Sequence, residues 1–227
     1  MRNHNVVQAE ADATLMTQLL PHPIAIAATD VKEPSEDCLK GQETSLCRNF
    51  SPTRLRTFAA GRVSSRLALS YLGIEPCPIG MKSKGEPVWP PNITGSISHT
   101  NDLAIAAVAN KKHFVSLGID VERCGALTQN LEAQVRSEED PLICDPTLLF
   151  SIKESAYKCV SDQCSKIPDF TEAAVDLDYN TSQFSVRPIV TSKGIFPTTI
   201  GIYRQTAHHW LCLSYILKES RNRSLFT

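Results

Sequence analysis

Ile93-Thr94-Gly95-Ser96-Ile97-Ser98-His99, Leu103-Ala104-Ile105-Ala106-Ala107-Val108-Ala109 and Phe114-Val115-Ser116-Leu117-Gly118-Ile119-Asp120-Val121 are three extended apolar runs. Thr100-Asn101-Asp102 and Asn110-Lys111-Lys112 separate them, so the stretch reads as strand, turn, strand, turn, strand. An antiparallel meander is the simplest arrangement. The last run continues into Glu122, and a strand sends alternate side chains to opposite faces. Asp120 and Glu122 therefore share one face, with Ile119 and Val121 on the other.

Working outward, Ser51-Pro52 supplies an N-cap residue followed by proline at the first helical position. Leu55, Phe58, Ala59, Val63, Leu67 and Leu69 provide apolar positions and Leu72-Gly73 a glycine stop, so the spacing predicts a helix over 52–72. Pro76, Pro78, Gly80, Gly85, Pro87, Pro90 and Pro91 then break the chain. Residues 125–146 are mixed and charged, and Ser137-Glu138-Glu139-Asp140-Pro141 reads as a helix start or a turn. A second amphipathic helix is predicted from Thr147 to about Val160. Strands follow near 173–177, 184–188, 199–204 and 210–217, and the polar 218–227 reads as a frayed end. Phe58, Arg62, Arg66 and Phe150, Glu154, Lys158 repeat one helical spacing, and Ser98 to Asp102 echoes Thr206-Ala207-His208-His209. An internal duplication is one explanation.

Bulk properties narrow the function. The 227 residues carry 23 Lys and Arg against 24 Asp and Glu, a net charge of −1, so no overall basic field argues for nucleic acid. No run reaches membrane-spanning length, and Glu10 and Asp12 precede any apolar stretch, which is unlike a secretory leader. A cytoplasmic protein is expected. The 8 cysteines form no C-x-x-C pair and no zinc rhythm, which suits reduced structural thiols.

In Phe150-Ser151-Ile152-Lys153-Glu154-Ser155-Ala156-Tyr157-Lys158, Glu154 and Lys158 are neighbours on one helical face. Magnesium takes hard oxygen ligands and is held by one or two carboxylates plus substrate phosphate oxygens. Asp120, Glu122 and Glu154 suit that role. The same residues also suit a solvated strand face and a surface ion pair with Lys158. Arg54, Phe58, Arg62 and Arg66 form a helical stripe whose guanidinium groups can grip phosphate, or can simply face solvent. Ser98-His99 ends a strand beside backbone donors that suit an anion. No G-x-S-x-G elbow, Walker loop or G-x-G-x-x-G fingerprint is present.

Four segments in order carry a resemblance: Phe58-Ala59-Ala60-Gly61-Arg62-Val63-Ser64-Ser65-Arg66-Leu67-Ala68-Leu69; Pro87-Val88-Trp89-Pro90 with Gly95-Ser96-Ile97-Ser98-His99; Gly118 to Glu122; and Phe150 to Lys158. On these, the chain resembles the surfactin-type 4′-phosphopantetheinyl transferases, the group that includes enterobactin synthetase component D. The matching segments span about Ser51 to Val160. Such enzymes move the phosphopantetheine arm of coenzyme A to a serine of an apo acyl, aryl or peptidyl carrier protein and release adenosine 3′,5′-bisphosphate. Siderophore, nonribosomal peptide or polyketide biosynthesis is the implied setting.

The resemblance implies an α+β fold of two pseudo-symmetric subdomains, each a helix packed on a small antiparallel sheet, with the active site in the cleft between them. The division would fall at 1–114 and 115–227, in a monomer. Asp120, Glu122 and Glu154 would hold Mg²⁺ against the coenzyme A pyrophosphate. Arg54 and Arg62 would meet the ribose phosphate and adenine side, Ser98 and His99 the phosphate, and Lys84, Gly85 and Glu86 the adenine pocket. Glu154, directly or through a metal-bound water, would be the base. Lys158 would stabilise the pyrophosphate or protonate the leaving phosphate, with Lys153 as a second cation. Glu86 stands where many relatives carry a basic residue. A metal-dependent phosphohydrolase acting on a nucleotide or a coenzyme A fragment, and a non-catalytic carrier-binding scaffold, are the alternatives.

Overall fold

The computed structural model describes residues 4–18, 20–33, 36–83, 85–127, 129–164, 169–189 and 196–218. The end at 219–227, expected to fray, lies outside the described residues. Two elements precede every signal read above: α1 (His4–Thr17) and β1 (Ile24–Asp30). A short α2 (Gln42–Leu46) leads to α3 (Pro52–Tyr71), where the Ser51 hydroxyl accepts the Arg54 N–H at 3.3 Å. The Leu72 N–H returns to the carbonyls of Ala68 and Leu69, closing the helix.

The Pro/Gly-rich stretch is not wholly loop, because β2 (Gly80–Met81) and β3 (Pro87–Val88) pair as a small hairpin. Next come β4 (Ile93–His99) and β5 (Leu103–Asn110), which pair antiparallel, and β1 takes the other edge of β5. The sheet order is β1-β5-β4. Here the expected meander fails: with both edges of β5 taken, β6 (Phe114–Arg123) has no place beside it. It becomes instead the edge of a second sheet.

That sheet runs β6-β10-β9-β8-β7, all antiparallel, with β7 (Ala173–Asp178), β8 (Gln183–Pro188), β9 (Thr199–Gln205) and β10 (His209–Leu217). These four strands lie within a residue or so of the expected ranges. Between β6 and β7 stand α4 (Gln129–Val135) and α5 (Pro146–Val160). Asp145 caps α5 by accepting the N–H groups of Thr147 and Leu148 at 2.8 and 3.1 Å. Ser137 to Asp140 is a turn rather than a helix start, with the Ser137 N–H on the Asp140 carboxylate at 2.6 Å.

Each sheet carries a helix. The small side chains of β1 and β5 let α3 settle on one face, where Ala27 and Val108 join Ala68 and Leu69. On the opposite face Val6, Ala9, Ala13 and Met16 of α1 join Ile105 and Ala107 of β5, Ile119 and Val121 of β6, and Leu211 and Leu213 of β10. One core therefore spans both sheets. The turns after β4 and after β9 are built alike: Thr100 Oγ1 accepts the N–H of Asp102 and Leu103 at 3.3 and 3.1 Å, and Thr206 Oγ1 those of His208 and His209 at 3.2 and 2.9 Å. Among the described residues no helix is long and apolar enough to cross a membrane.

Candidate functional site

The site begins with how closely α5 lies on β6. A Cβ on Gly118 would stand 1.9 Å from the Ser155 carbonyl oxygen and 2.5 Å from the Cys159 nitrogen, so only glycine permits this approach. The approach brings the helix face of Ser151, Glu154 and Lys158 against the strand face of Asp120 and Glu122. Asp120 is 2% exposed. Its Oδ1 accepts from Ser98 Oγ at 2.9 Å and Lys158 Nζ at 2.5 Å, and its Oδ2 accepts from Ser151 Oγ at 2.8 Å. Lys158 Nζ also donates to Ser98 Oγ at 3.0 Å. Lys158 thus pairs with the strand acid, not with Glu154 one turn away on its own helix.

Glu122 and Glu154 are half-buried and have no hydrogen bond or ion pair among the described residues. Burial, with the charges of Asp120 and Glu154 opposed by Lys158, pushes the Glu122 carboxyl up to about 7. Burial, with Asp120 adding to it against Lys158, also raises Glu154. These acids are neither a solvated strand face nor a surface ion pair. Among the described residues no three His, Cys, Asp or Glu side chains converge closely enough to hold a metal ion alone. The Glu122 and Glu154 carboxylates are hard oxygen donors without a cation of their own beside the cavity, a donor chemistry that fits magnesium.

Helix α3 and strand β4 form the facing wall. Arg54 lies against the Phe50 ring at 5.4 Å, with its Nη1 3.3 Å from His99 Nε2. Arg62 is 5% exposed, sits 4.2 Å over the Phe58 ring, and donates from Nε to the Ile79 carbonyl at 3.0 Å and from Nη2 to the Gly80 carbonyl at 3.4 Å. Burial lowers its guanidinium to about 10. His99 is lowered by burial first, then by the cations Arg54 and Lys158, which favours a neutral ring that can accept or donate.

Arg54, Arg62, Ser98, His99, Asp120, Glu122, Glu154 and Lys158 all line one cavity of about 290 Å³. Gly85, Pro87, Ile97, Glu154 and Lys158 also line an adjoining groove of about 710 Å³ that includes Glu86, Trp89 and Tyr157. The larger hollow is the more apolar corridor, whereas the smaller one gathers the charges. Gly85 takes φ 97 in the β2–β3 turn, and the Lys82 N–H closes that hairpin on the Glu86 carbonyl at 2.8 Å. Lys84 lies outside the described residues.

Two sequence expectations change. Lys153 is no second cation of the site: its fully buried Nζ donates to Asp140 Oδ2 at 2.6 Å and to the carbonyls of Val135, Phe170 and Ala173 at 2.9, 2.8 and 2.8 Å. It faces the interior between α5 and the second sheet, where Ile152 packs with Val175 and Val186, because one residue's step turns a helix by about 100°. The arginine stripe ends at Arg62, since Arg66 is buried on Glu43 at 2.7 Å rather than facing solvent or ligand. Ser151 was missed, although it stands three residues before Glu154 on the same helical face.

Residues 42–109 match the family model described as 4′-phosphopantetheinyl transferase N-terminal domain. The chain is 34% identical over 175 residues to 4′-phosphopantetheinyl transferase Svp of Streptomyces mobaraensis, covering 72% of this chain and 71% of that one. It is 31% identical over 166 residues to 4′-phosphopantetheinyl transferase Npt of Nocardia iowensis, covering 69% and 74%. Enterobactin synthase component D of Salmonella typhimurium is 34% identical over 139 residues, covering 56% and 57%.

Proposed function

Because the chain belongs to the 4′-phosphopantetheinyl transferases, which move the phosphopantetheine group of coenzyme A to a carrier-protein serine, we propose that it performs this transfer in the cavity between α3–β4 and β6–α5. The observation that carries the reading is the lining of that cavity: three carboxylates, two guanidinium groups, one ammonium and one imidazole face a single space. A pyrophosphate with a further phosphate nearby matches that charge pattern.

Asp120, Glu122 and Glu154 would hold Mg²⁺, which when bound neutralises the pyrophosphate and polarises its phosphoryl oxygens. Glu154, lifted by burial, takes the proton from the carrier serine hydroxyl as it attacks phosphorus. Lys158, held by Asp120 and Ser98, stands where it can meet the charge that builds on the leaving phosphate of adenosine 3′,5′-bisphosphate. Arg54 with His99, and Arg62 over Phe58, grip the ribose phosphate and adenine side, where Gly85 and Glu86 continue the wall.

We read 1–114 and 115–227 as two related subdomains, supported by a helix on each sheet and by the twin threonine turns. Both cavity walls come from one chain, which favours a monomer. Eight free thiols suit a reducing cytoplasm.

The test mixes the protein with coenzyme A, Mg²⁺ and a panel of apo acyl, aryl and peptidyl carriers and reads intact masses. A phosphopantetheine increment on a carrier is expected, and is lost with EDTA. Coenzyme A cleavage without a carrier would point to a phosphohydrolase, and carrier binding without any increment to a scaffold.

A further inference from the structure

Glu43 is wholly buried, at 0% exposure, yet carries a full set of donors. Its Oε1 accepts the Ile79 N–H at 2.8 Å and Arg66 Nη1 at 2.9 Å; its Oε2 accepts the Lys40 N–H at 2.9 Å and Arg66 Nη1 at 2.7 Å. Arg66 is tied in turn to the Cys38 carbonyl at 2.5 Å. The peptide that Glu43 holds by its N–H belongs to the residue whose carbonyl receives Arg62 Nε at 3.0 Å. The next carbonyl, of Gly80, receives Arg62 Nη2 and lies in the hairpin strand that pairs with Val88. One carboxylate thus anchors the backbone on which the pocket arginine rests.

We infer that Glu43 is a positioning residue for coenzyme A binding, acting through the Ile79–Gly80 backbone to orient Arg62 and to seat the β2–β3 hairpin along the cavity. The inference rests on the placing of Arg62 in the coenzyme A site. Two physical facts support it. A guanidinium with two donors fixed on carbonyls and its Cζ 4.2 Å from the Phe58 ring centre has little rotational freedom left, so its remaining N–H groups meet a ligand preorganised. The Glu43 charge also opposes the desolvation that lowers Arg62, a second link between the two residues beside the hydrogen-bonded one.

A double-mutant cycle on the full-length protein tests this: wild type, E43Q, R62M and the double variant, each with its coenzyme A Kd from titration calorimetry and its thermal melt. E43Q keeps the side-chain shape while removing the charge. The expected loss of affinity in E43Q is about tenfold, shrinking to under about twofold when Arg62 is already Met. Equal losses for E43Q in both backgrounds, or none in either, overturn the inference alone. An R62M protein that binds coenzyme A as tightly as wild type overturns it together with the placing of Arg62. Should E43Q fail to fold, R66K replaces it in the cycle, since lysine keeps a cation on Glu43 but gives up the guanidinium fork. A smaller loss, again absent with R62M, is then expected, and the same loss in both backgrounds overturns the inference.

Discussion

Lys158 Nζ reaches across from α5 to Asp120 Oδ1 at 2.5 Å, leaving Glu154, its neighbour on the same helix, without a cation of its own. A helix-surface pair would have neutralised Glu154, whereas the cross-element pair neutralises Asp120 and leaves Glu122 and Glu154 with raised proton affinities beside the cavity. Asp120 is held by Lys158 and two serine hydroxyls, whereas Glu122 and Glu154 carry no such partner among the described residues.

Glu154→Gln is expected to lower transfer by about 10²-fold or more, the scale of a lost general base. Its melting temperature should match or exceed wild type, because a half-buried carboxylate among other acids is removed. Intact-mass time courses with coenzyme A, Mg²⁺ and apo carrier, beside a thermal melt, measure both. Transfer at the wild-type rate would remove Glu154 from the mechanism.

The metal-free protein should lose stability as pH rises through the range set by Glu122. Its carboxyl stands near 7 when folded against an ordinary 4.5, so between those values the folded chain holds a proton that the unfolded chain releases. The contribution is complete below 4.5 and lost as pH passes about 7. In EDTA, the wild-type melting temperature should therefore fall relative to Glu122→Gln across this window, and Mg²⁺ should recover it only in wild type. Parallel curves would show that Glu122 does not titrate there.

Gly118→Ala is expected to destabilise the chain by about 2 kcal/mol or more, at the upper end of overpacking costs. The new methyl would meet backbone atoms of Ser155 and Cys159, which cannot swing aside as a side chain can. Urea unfolding gives the stability change. Transfer activity should fall with it, since any retreat of α5 pulls Lys158 from Asp120.

Lys153→Met and Lys158→Met should part company. The first strands Asp140 in the interior and is expected to cost about 3–5 kcal/mol. Coenzyme A affinity in the fraction that folds should stay near wild type. The second takes the cation from Asp120, which keeps Ser98 and Ser151 beside the cavity, so it should fold with a smaller loss of stability but lose transfer. Chemical denaturation and calorimetric titration of both variants make the comparison, and a weak-binding but stable Lys153→Met protein would return Lys153 to the site.

Much of this was legible in local pattern. Ser51-Pro52 marks the start of α3 through capping chemistry that needs no tertiary partner, and α5 begins at Pro146, one residue before the Thr147 expected, with Asp145 as its cap. The last four strands follow from short apolar runs between polar turns. By contrast, α1 and β1 escaped because Ala-rich segments carry little amphipathic contrast, and their place depends on partners far along the chain: Ile26 opposite Ala107, and Asp12 on Arg204 at 2.8 Å. The meander failed for the same reason, as β1 occupies the edge of β5 that β6 would have used.

By itself, then, the sequence determined which side chains share a face: Asp120 with Glu122 by strand alternation, and Ser151, Glu154 and Lys158 by helical turn. Only the tertiary structure decided what those faces meet. It turned Lys158 to Asp120, buried Lys153 on Asp140, removed Arg66 to Glu43, and set Arg54 and Arg62 opposite the acids across one cavity. Periodicity is a property of the backbone alone, whereas burial and pairing depend on which distant segment supplies the opposing charge.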